Sequence, residues 1–537
     1  MSARPMPLTQ ADDTATGRAT GHAFDRADGV PWTRAVLGVL VAFAFALGVR
    51  VVFLDRAYDL FIDEITYFLI SNNLATGHGV SLHGRPFFLH PPLFFFLQGP
   101  WIALTHPTGP LLEQVLSVRP MQSLLAALTA VVILLLGTRV AGWRVGVVAF
   151  VLFAVDPFTI RINSRNLLET TALLGVLGGY LALLWRPLDE GVPRRRVLLA
   201  GLGFGAALLT KEMTFFLTLL PMGLLFLAGR PLPRRTTLGV VGVVVATYAV
   251  YPLTVVLLGL GPIFVEDKLS GVLRFLGLVK TTGFVHGHGP SFLSAVLRNL
   301  DVFATTYTLV ALGIPASMLL VWKGDDRRRV LGVLGISAYA LLAYSIGLGT
   351  LEEQFFYFLV LPAMLSVPVA WGLFSRILDR RDFSAVRLSR GRPRDLGGAY
   401  TGAARVARVV LPVALVVSVA WSSFVWTQVR FTPDDGYRQV YGWLHANVPR
   451  GESLGVTTDP QEFLLDGYVI NPVSSGDEIR ATRSTYVVIS GKQIADGYTK
   501  NGVALEAWLR ANGRPVFVVD GRTYGRLEVF EVNPPGG

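Results

Sequence analysis

Two adjacent carboxylates, Asp63 and Glu64, follow closely on the first apolar stretch of this chain. They lie in DLFIDEITYFLISNNLATGHGVSLHGRPFFLHPPLFFFLQGPW, residues 59–101, which also carries Tyr67, Asn72-Asn73 and His90-Pro91-Pro92. Arg161, Asn163, Arg165, Asn166, Glu169, Lys211-Glu212, Glu352-Glu353 and Tyr357 recur at the ends of later apolar stretches. Charged groups at membrane depth are costly unless paired or solvated, so a set of them on one side predicts a polar cavity. A carboxylate there suits general-base work, and Asp63 is the candidate to take a proton from an attacking hydroxyl. Arg165 and Lys211 are the candidate anion holders, because an arginine fork matches phosphate oxygens and a lysine adds a point charge. Glu64, Glu169, Tyr67 and His90 are candidates to orient the acceptor or support the groups that do.

Such residues need elements that bring them together. The chain has 537 residues, 52% of them hydrophobic and 16% charged, and its mean hydropathy is +0.50. A soluble domain carries about 25% charged residues, so the composition predicts a multi-span α-helical membrane protein. Cysteine is absent, which excludes disulfide and thiolate chemistry. The formal net charge of +11 fits basic cytoplasmic loops. No motif pairs the basic residues with exposed aromatics, so nucleic acid is not an expected partner.

Residues 1–33 are polar and mixed in charge and read as a disordered cytoplasmic tail. Apolar stretches follow at 35–54, 121–136, 145–155, 167–185, 197–209, 215–227, 238–260, 302–322, 330–348, 355–374 and 409–426. Read as about eleven spans, they put the basic turns on one side and the polar groups above on the other. The expected layout is a transmembrane domain over 34–428 and an extracytoplasmic soluble domain over 429–537, with the N-terminus cytoplasmic and the protein in the plasma membrane. Arg50, near the end of the first span, either snorkels to the interface or faces an anionic group in the cavity.

Phe61, Ile65, Phe68 and Leu69 share one helical face and predict an interfacial helix in the first outer loop, lying on the membrane surface. The run IFVEDKLSGVLRFLGLVK predicts a second amphipathic helix. Beyond residue 427 the pattern becomes soluble. A helix over 435–447, strands at 454–457, 486–490, 516–520 and 527–532, and a helix over 503–512 predict a small α/β domain.

A base, a cationic cradle and a cavity for a lipid tail are the parts that glycosyl transfer from a lipid-linked sugar phosphate needs. A divalent metal is not favoured, since vicinal acids on a helix point in different directions. His286 and His288 in VHGHGP lack a third ligand close by. A transporter or flippase of a lipid-linked saccharide is the alternative, although no internal repeat supports it. A scaffold whose C-terminal domain binds an envelope partner is a third reading. Plainer roles also exist for the named residues: Arg165 and Glu169 as a helix-surface ion pair, and Lys211 as an anchor of a helix end.

At DEITY, HPPL, SRNLLET, LTKE and EEQFFYFLVLPA the chain resembles the GT-C superfamily, in particular bacterial protein O-mannosyltransferases and the related lipid A aminoarabinose transferases. The resemblance covers roughly residues 34–428. It implies a polyprenyl-phosphate-linked sugar donor, a hydroxyl acceptor and action on the extracytoplasmic face. It also implies Asp63 as the base, with Glu64 beside it. His90-Pro91-Pro92-Leu93 and Thr210-Lys211 match family segments, and Gln354-Phe355-Phe356-Tyr357 with Leu361-Pro362 resembles another. Arg165 and Glu169 resemble the family's second acidic site, with Glu standing where an Asp is usual.

Overall fold

The computed structural model describes residues 32–276, 278, 292–348, 354–379 and 397–532. His286-His288 and Glu352-Glu353 lie outside the described residues, as does the tail before Trp32.

The chain is a multi-span helical membrane protein with a small α/β domain at its C-terminal end. Helix α1 (Trp32–Val51) leads into a loop region with α2 (Ile62–Ala75), a two-stranded hairpin of β1 (Ser81–Leu82) and β2 (Arg85–Pro86), α3 (Leu93–Thr105) and α4 (Leu111–Ser117). The membrane bundle continues with α5 (Arg119–Ala141), α6 (Trp143–Val155), α7 (Pro157–Asn163), α8 (Leu168–Leu184), α9 (Arg194–Leu208), a 3-10 turn (Glu212–Leu217) and α10 (Leu219–Ala228). It is completed by α11 (Arg234–Leu257), α12 (Gly261–Phe275), α13 (Phe292–Arg298), α14 (Leu300–Lys323), α15 (Asp326–Leu348), α16 (Phe355–Asp379) and α17 (Gly397–Phe431).

Helices stand at each of the eleven apolar stretches. Among the described residues seven are long and apolar enough to cross a membrane, or eight if the α6–α7 pair forms one broken span. That pair bends by 63°. Pro157 opens α7, and Asp156 caps it by accepting from Thr159 N at 2.8 Å. The break frees the last carbonyls of α6, and Arg50 takes them: Phe153 O at 3.2 Å and Ala154 O at 3.5 Å. Arg50 is fully buried. It therefore neither snorkels nor faces an open cavity, but closes a helix end.

The C-terminal domain holds α18 (Gly436–Asn447), β3 (Ser453–Val456), α19 (Asp459–Leu464), β4 (Val469–Pro472), α20 (Gly476–Thr482), β5 (Tyr486–Ser490), α21 (Gly491–Ala495), α22 (Gly502–Asn512), β6 (Gly513–Gly521) and β7 (Gly525–Val532). Its sheet has the order β4-β3-β5-β7-β6, parallel among the first three strands and antiparallel at β5–β7–β6. Strand β4 was not expected: VINP is short, and its proline fits only an edge strand, where β4 lies.

The expected interfacial helix α2 is present, but its apolar face does not rest on lipid. Ile65 and Phe68 are buried in a cluster with Tyr437, Val440, Leu444 and Leu454 of the C-terminal domain. Tyr67 and Ile70 are buried instead in the membrane core with Phe94, Phe95 and Phe153. Helix α2 is thus a layer between the two domains, because burial of large apolar side chains on both sides outweighs an interfacial position.

Candidate active site

Asp63 and Glu64 occupy the first turn of α2 and point in different directions. Glu64 is fully buried. It accepts from Phe61 N at 3.1 Å, closing the helix start, and from Asn166 N at 3.0 Å. Arg119 meets it with a two-pronged pair, Nε to Oε2 at 2.9 Å and Nη2 to Oε1 at 2.8 Å. Arg119 also donates to the carbonyls of Tyr58 and Asp59, at 2.7 and 3.3 Å. Glu64 is therefore occupied in holding the loop, α5 and the α7–α8 connection together. Arg119 escaped the sequence reading. Its signal was available, as a cation opening an apolar stretch on the same side as Asp63.

Asp63 is only partly buried and receives Gln354 Nε2 at 3.1 Å. Gln354 directly precedes α16. The next residue, Phe355, presents its ring 5.5 Å from Lys211 Nζ. The start of α16 thus links the candidate base to a candidate phosphate holder. Lys211 is buried and ion-paired with Glu169, at the start of α8. Helices α8 and α9 run antiparallel and touch through glycines: a Cβ on Gly203 would stand 2.9 Å from Gly175 O. That close crossing sets Glu169, opening α8, beside Lys211, just beyond α9. Leu93 N donates to Leu209 O at 3.0 Å, so the His90-Pro91-Pro92 segment is tied to the same place.

Arg165 does not take the plainer role of a helix-surface partner of Glu169. Helix α8 begins only at Leu168, so Arg165 and Glu169 do not form a helical i,i+4 pair. Arg165 Nε lies 3.9 Å from Glu64 Oε1, and Nη2 donates to Thr523 Oγ1 at 3.1 Å. The guanidinium packs beside the rings of Tyr58 and Phe61. Tyr67 and His90 do come together, ring centroids 5.8 Å apart and edge to face, with Phe94 and Phe95 against Tyr67. Tyr357 donates to Asn163 Oδ1 at 2.8 Å, which Thr170 also meets at 3.0 Å. Among the described residues, Asn163 Nδ2, both side-chain polar atoms of Asn166 and Glu169 Oε2 have no hydrogen-bond partner although buried. Unpaired buried groups are costly, so a polar ligand would relieve them. Among the described residues no three His, Asp or Glu side chains gather as a metal site.

The loop before α2 carries a titrating group that the sequence reading passed over. Asp59 is buried, accepts from Tyr437 N at 2.9 Å and Leu60 N at 2.9 Å, and faces Asp434, whose Oδ2 lies 3.5 Å from Asp59 N. Burial, then the Asp434 carboxylate, push Asp59 up to about 7; the two backbone N–H groups and Arg119 oppose the rise. Tyr437 and Tyr524 complete its surroundings. A carboxyl raised in the folded state contributes stability that is whole below its unfolded value and is lost as pH rises through about 7. The unfolding midpoint should therefore fall by a few degrees from about pH 5 to about pH 8. Asp59→Asn should flatten that slope in a thermal-shift series.

No protein-family model matches the chain, and no curated protein is similar to it in sequence. Solved structures are similar in fold. ArnT from Cupriavidus metallidurans bound to undecaprenyl phosphate superposes with a TM-score of 0.54 at 15% identity, over 94% of this chain and 99% of that one. The chain has the GT-C fold. The archaeal oligosaccharyltransferase AglB from Archaeoglobus fulgidus, in complex with an inhibitory peptide and a dolichol-phosphate, superposes with a TM-score of 0.52 at 13% identity, over 94% of this chain and 75% of AglB. The chain matches both along nearly its whole length, membrane bundle and C-terminal part alike.

Proposed function

We propose that this protein is an inverting glycosyltransferase that moves a sugar from a polyprenyl-phosphate carrier to a hydroxyl acceptor on the extracytoplasmic face of the membrane. The observation that carries the reading is the junction at α16, where Gln354 holds Asp63 and Phe355 adjoins Lys211. Asp63 accepts the proton of the acceptor hydroxyl as its oxygen attacks the anomeric carbon. The bond from that carbon to the phosphate oxygen breaks on the opposite face, so the configuration inverts. The products are the glycoside and the polyprenyl phosphate, whose charge is held by Lys211, with Arg165 as the second cation. Undecaprenyl phosphate in ArnT and dolichol-phosphate in AglB support a lipid phosphate as the carrier here.

The test is bond cleavage. Purified protein in liposomes, given undecaprenyl-phosphate mannose and a cell-envelope extract, should release undecaprenyl phosphate and glycosylate the extract. Movement of the intact lipid-linked sugar across the bilayer without release would instead make the protein a transporter. Lys211 can be tested separately. The double variant Lys211→Met with Glu169→Gln removes both charges of the pair and leaves neither buried alone. It should bind undecaprenyl phosphate at least about tenfold more weakly, the scale of one lost hydrogen bond to a charged group, with less dependence on salt.

A further inference from the structure

The turn between β6 and β7 reaches out of the C-terminal domain into the membrane part. Its three residues, Arg522, Thr523 and Tyr524, each hold a different piece of the candidate site. Arg522 Nη2 donates to the carbonyls of Ala57, Val429 and Thr432, at 2.8, 3.0 and 2.9 Å. The Tyr524 hydroxyl donates to Leu60 O. Thr523 accepts from Arg165 Nη2 and donates to Asp434 Oδ2 at 2.7 Å. Asp434 grips the turn from below, taking Arg522 N at 2.8 Å and Thr523 N at 3.2 Å on Oδ1. The approach is close enough that a Cβ on Gly521 would stand 2.7 Å from Asp434 Oδ1.

We propose that this β6–β7 turn is a positioning device for the phosphate site, with Thr523 holding Arg165 available for the carrier. The proposal rests on the assignment of Arg165 to the carrier phosphate. Its physical basis is a competition. Arg165 Nε sits 3.9 Å from Glu64 Oε1, the outer limit of an ion pair, while Thr523 holds Nη2 at 3.1 Å. Without the threonine hydroxyl, the carboxylate that the guanidinium already faces is that of Glu64. A closed pair with a buried carboxylate would have to be broken before Arg165 could meet a phosphate. Thr523→Val keeps the shape of the side chain and takes away the two hydrogen bonds of the hydroxyl, from Arg165 and to Asp434, while Thr523→Ser keeps both. Arg522 and Tyr524 act on the loop instead, fixing residues 57–60 from which α2 and Asp63 start.

The experiment uses the full chain and undecaprenyl phosphate alone as probe. Thr523→Val should raise the Kd about tenfold, as expected for one lost hydrogen bond to a charged group. Thr523→Ser, which keeps both hydrogen bonds of the hydroxyl, should restore wild-type affinity and the wild-type thermal midpoint. Arg514→Ala, an exposed change on the same sheet, should leave the Kd alone. Unchanged or tighter binding by Thr523→Val, or an equal loss in Arg514→Ala, overturns the proposal. Arg165→Ala is the check on its foundation. If that variant binds undecaprenyl phosphate normally, it is the assignment of Arg165 that fails, whatever Thr523 does.

Discussion

Asp63→Asn should abolish sugar transfer while leaving the protein folded and able to bind undecaprenyl phosphate. The amide keeps the size of the side chain but cannot accept the acceptor's proton. A lost general base costs about 10²–10⁴-fold in rate, and the loss should appear in kcat. Folding should be spared because Asp63 is only partly buried and the hydrogen bond from Gln354 Nε2 can be met by an amide oxygen. Transfer at the wild-type rate would remove Asp63 as the base.

Its neighbour should behave in the opposite way. Glu64→Ala removes the carboxylate that takes two hydrogen bonds from the buried Arg119 guanidinium, one from Asn166 N and one from Phe61 N. Breaking a buried ion pair from one side costs roughly 3–5 kcal/mol, because the surviving charge stays buried without compensation. The expected result is a thermal midpoint lowered well beyond experimental scatter, or failure to accumulate in the membrane. The pair Glu64→Leu with Arg119→Met should recover much of that loss, since matched apolar replacements of a buried pair are often close to neutral. No recovery in the double variant would mean that the backbone contacts of Arg119 at Tyr58 and Asp59 matter more than its charge. Two adjacent acids of similar chemistry thus divide into one expected to act on substrate and one that holds the site.

That division was only partly legible in the residues. Composition alone required a membrane protein, because so few charges cannot solvate a chain of this length. Alternation of basic turns with polar span ends collected Asp63, Glu169, Lys211 and Tyr357 into one set, and the soluble pattern after residue 427 announced the α/β domain. What remained hidden depended on contacts between distant segments. Arg50 could be read as an interfacial cation until the break at Asp156-Pro157 exposed the α6 carbonyls it closes. Spacing alone also allowed Arg165 to be no more than a helix-surface partner of Glu169, but α8 starts too late for a helical pair. The face of α2 read as lipid-bound, since hydrophobicity does not say which apolar surface will cover it.

Sequence alone therefore determined the solvent of each part and the chemical types gathered on one side, because those follow from transfer free energies that act residue by residue. Tertiary structure decided the pairings: Lys211 with Glu169, Arg119 with Glu64, Arg165 with Thr523. A buried charge takes whichever opposite group or polar atom the fold brings within a few ångströms. Separation along the chain carries no information about that distance.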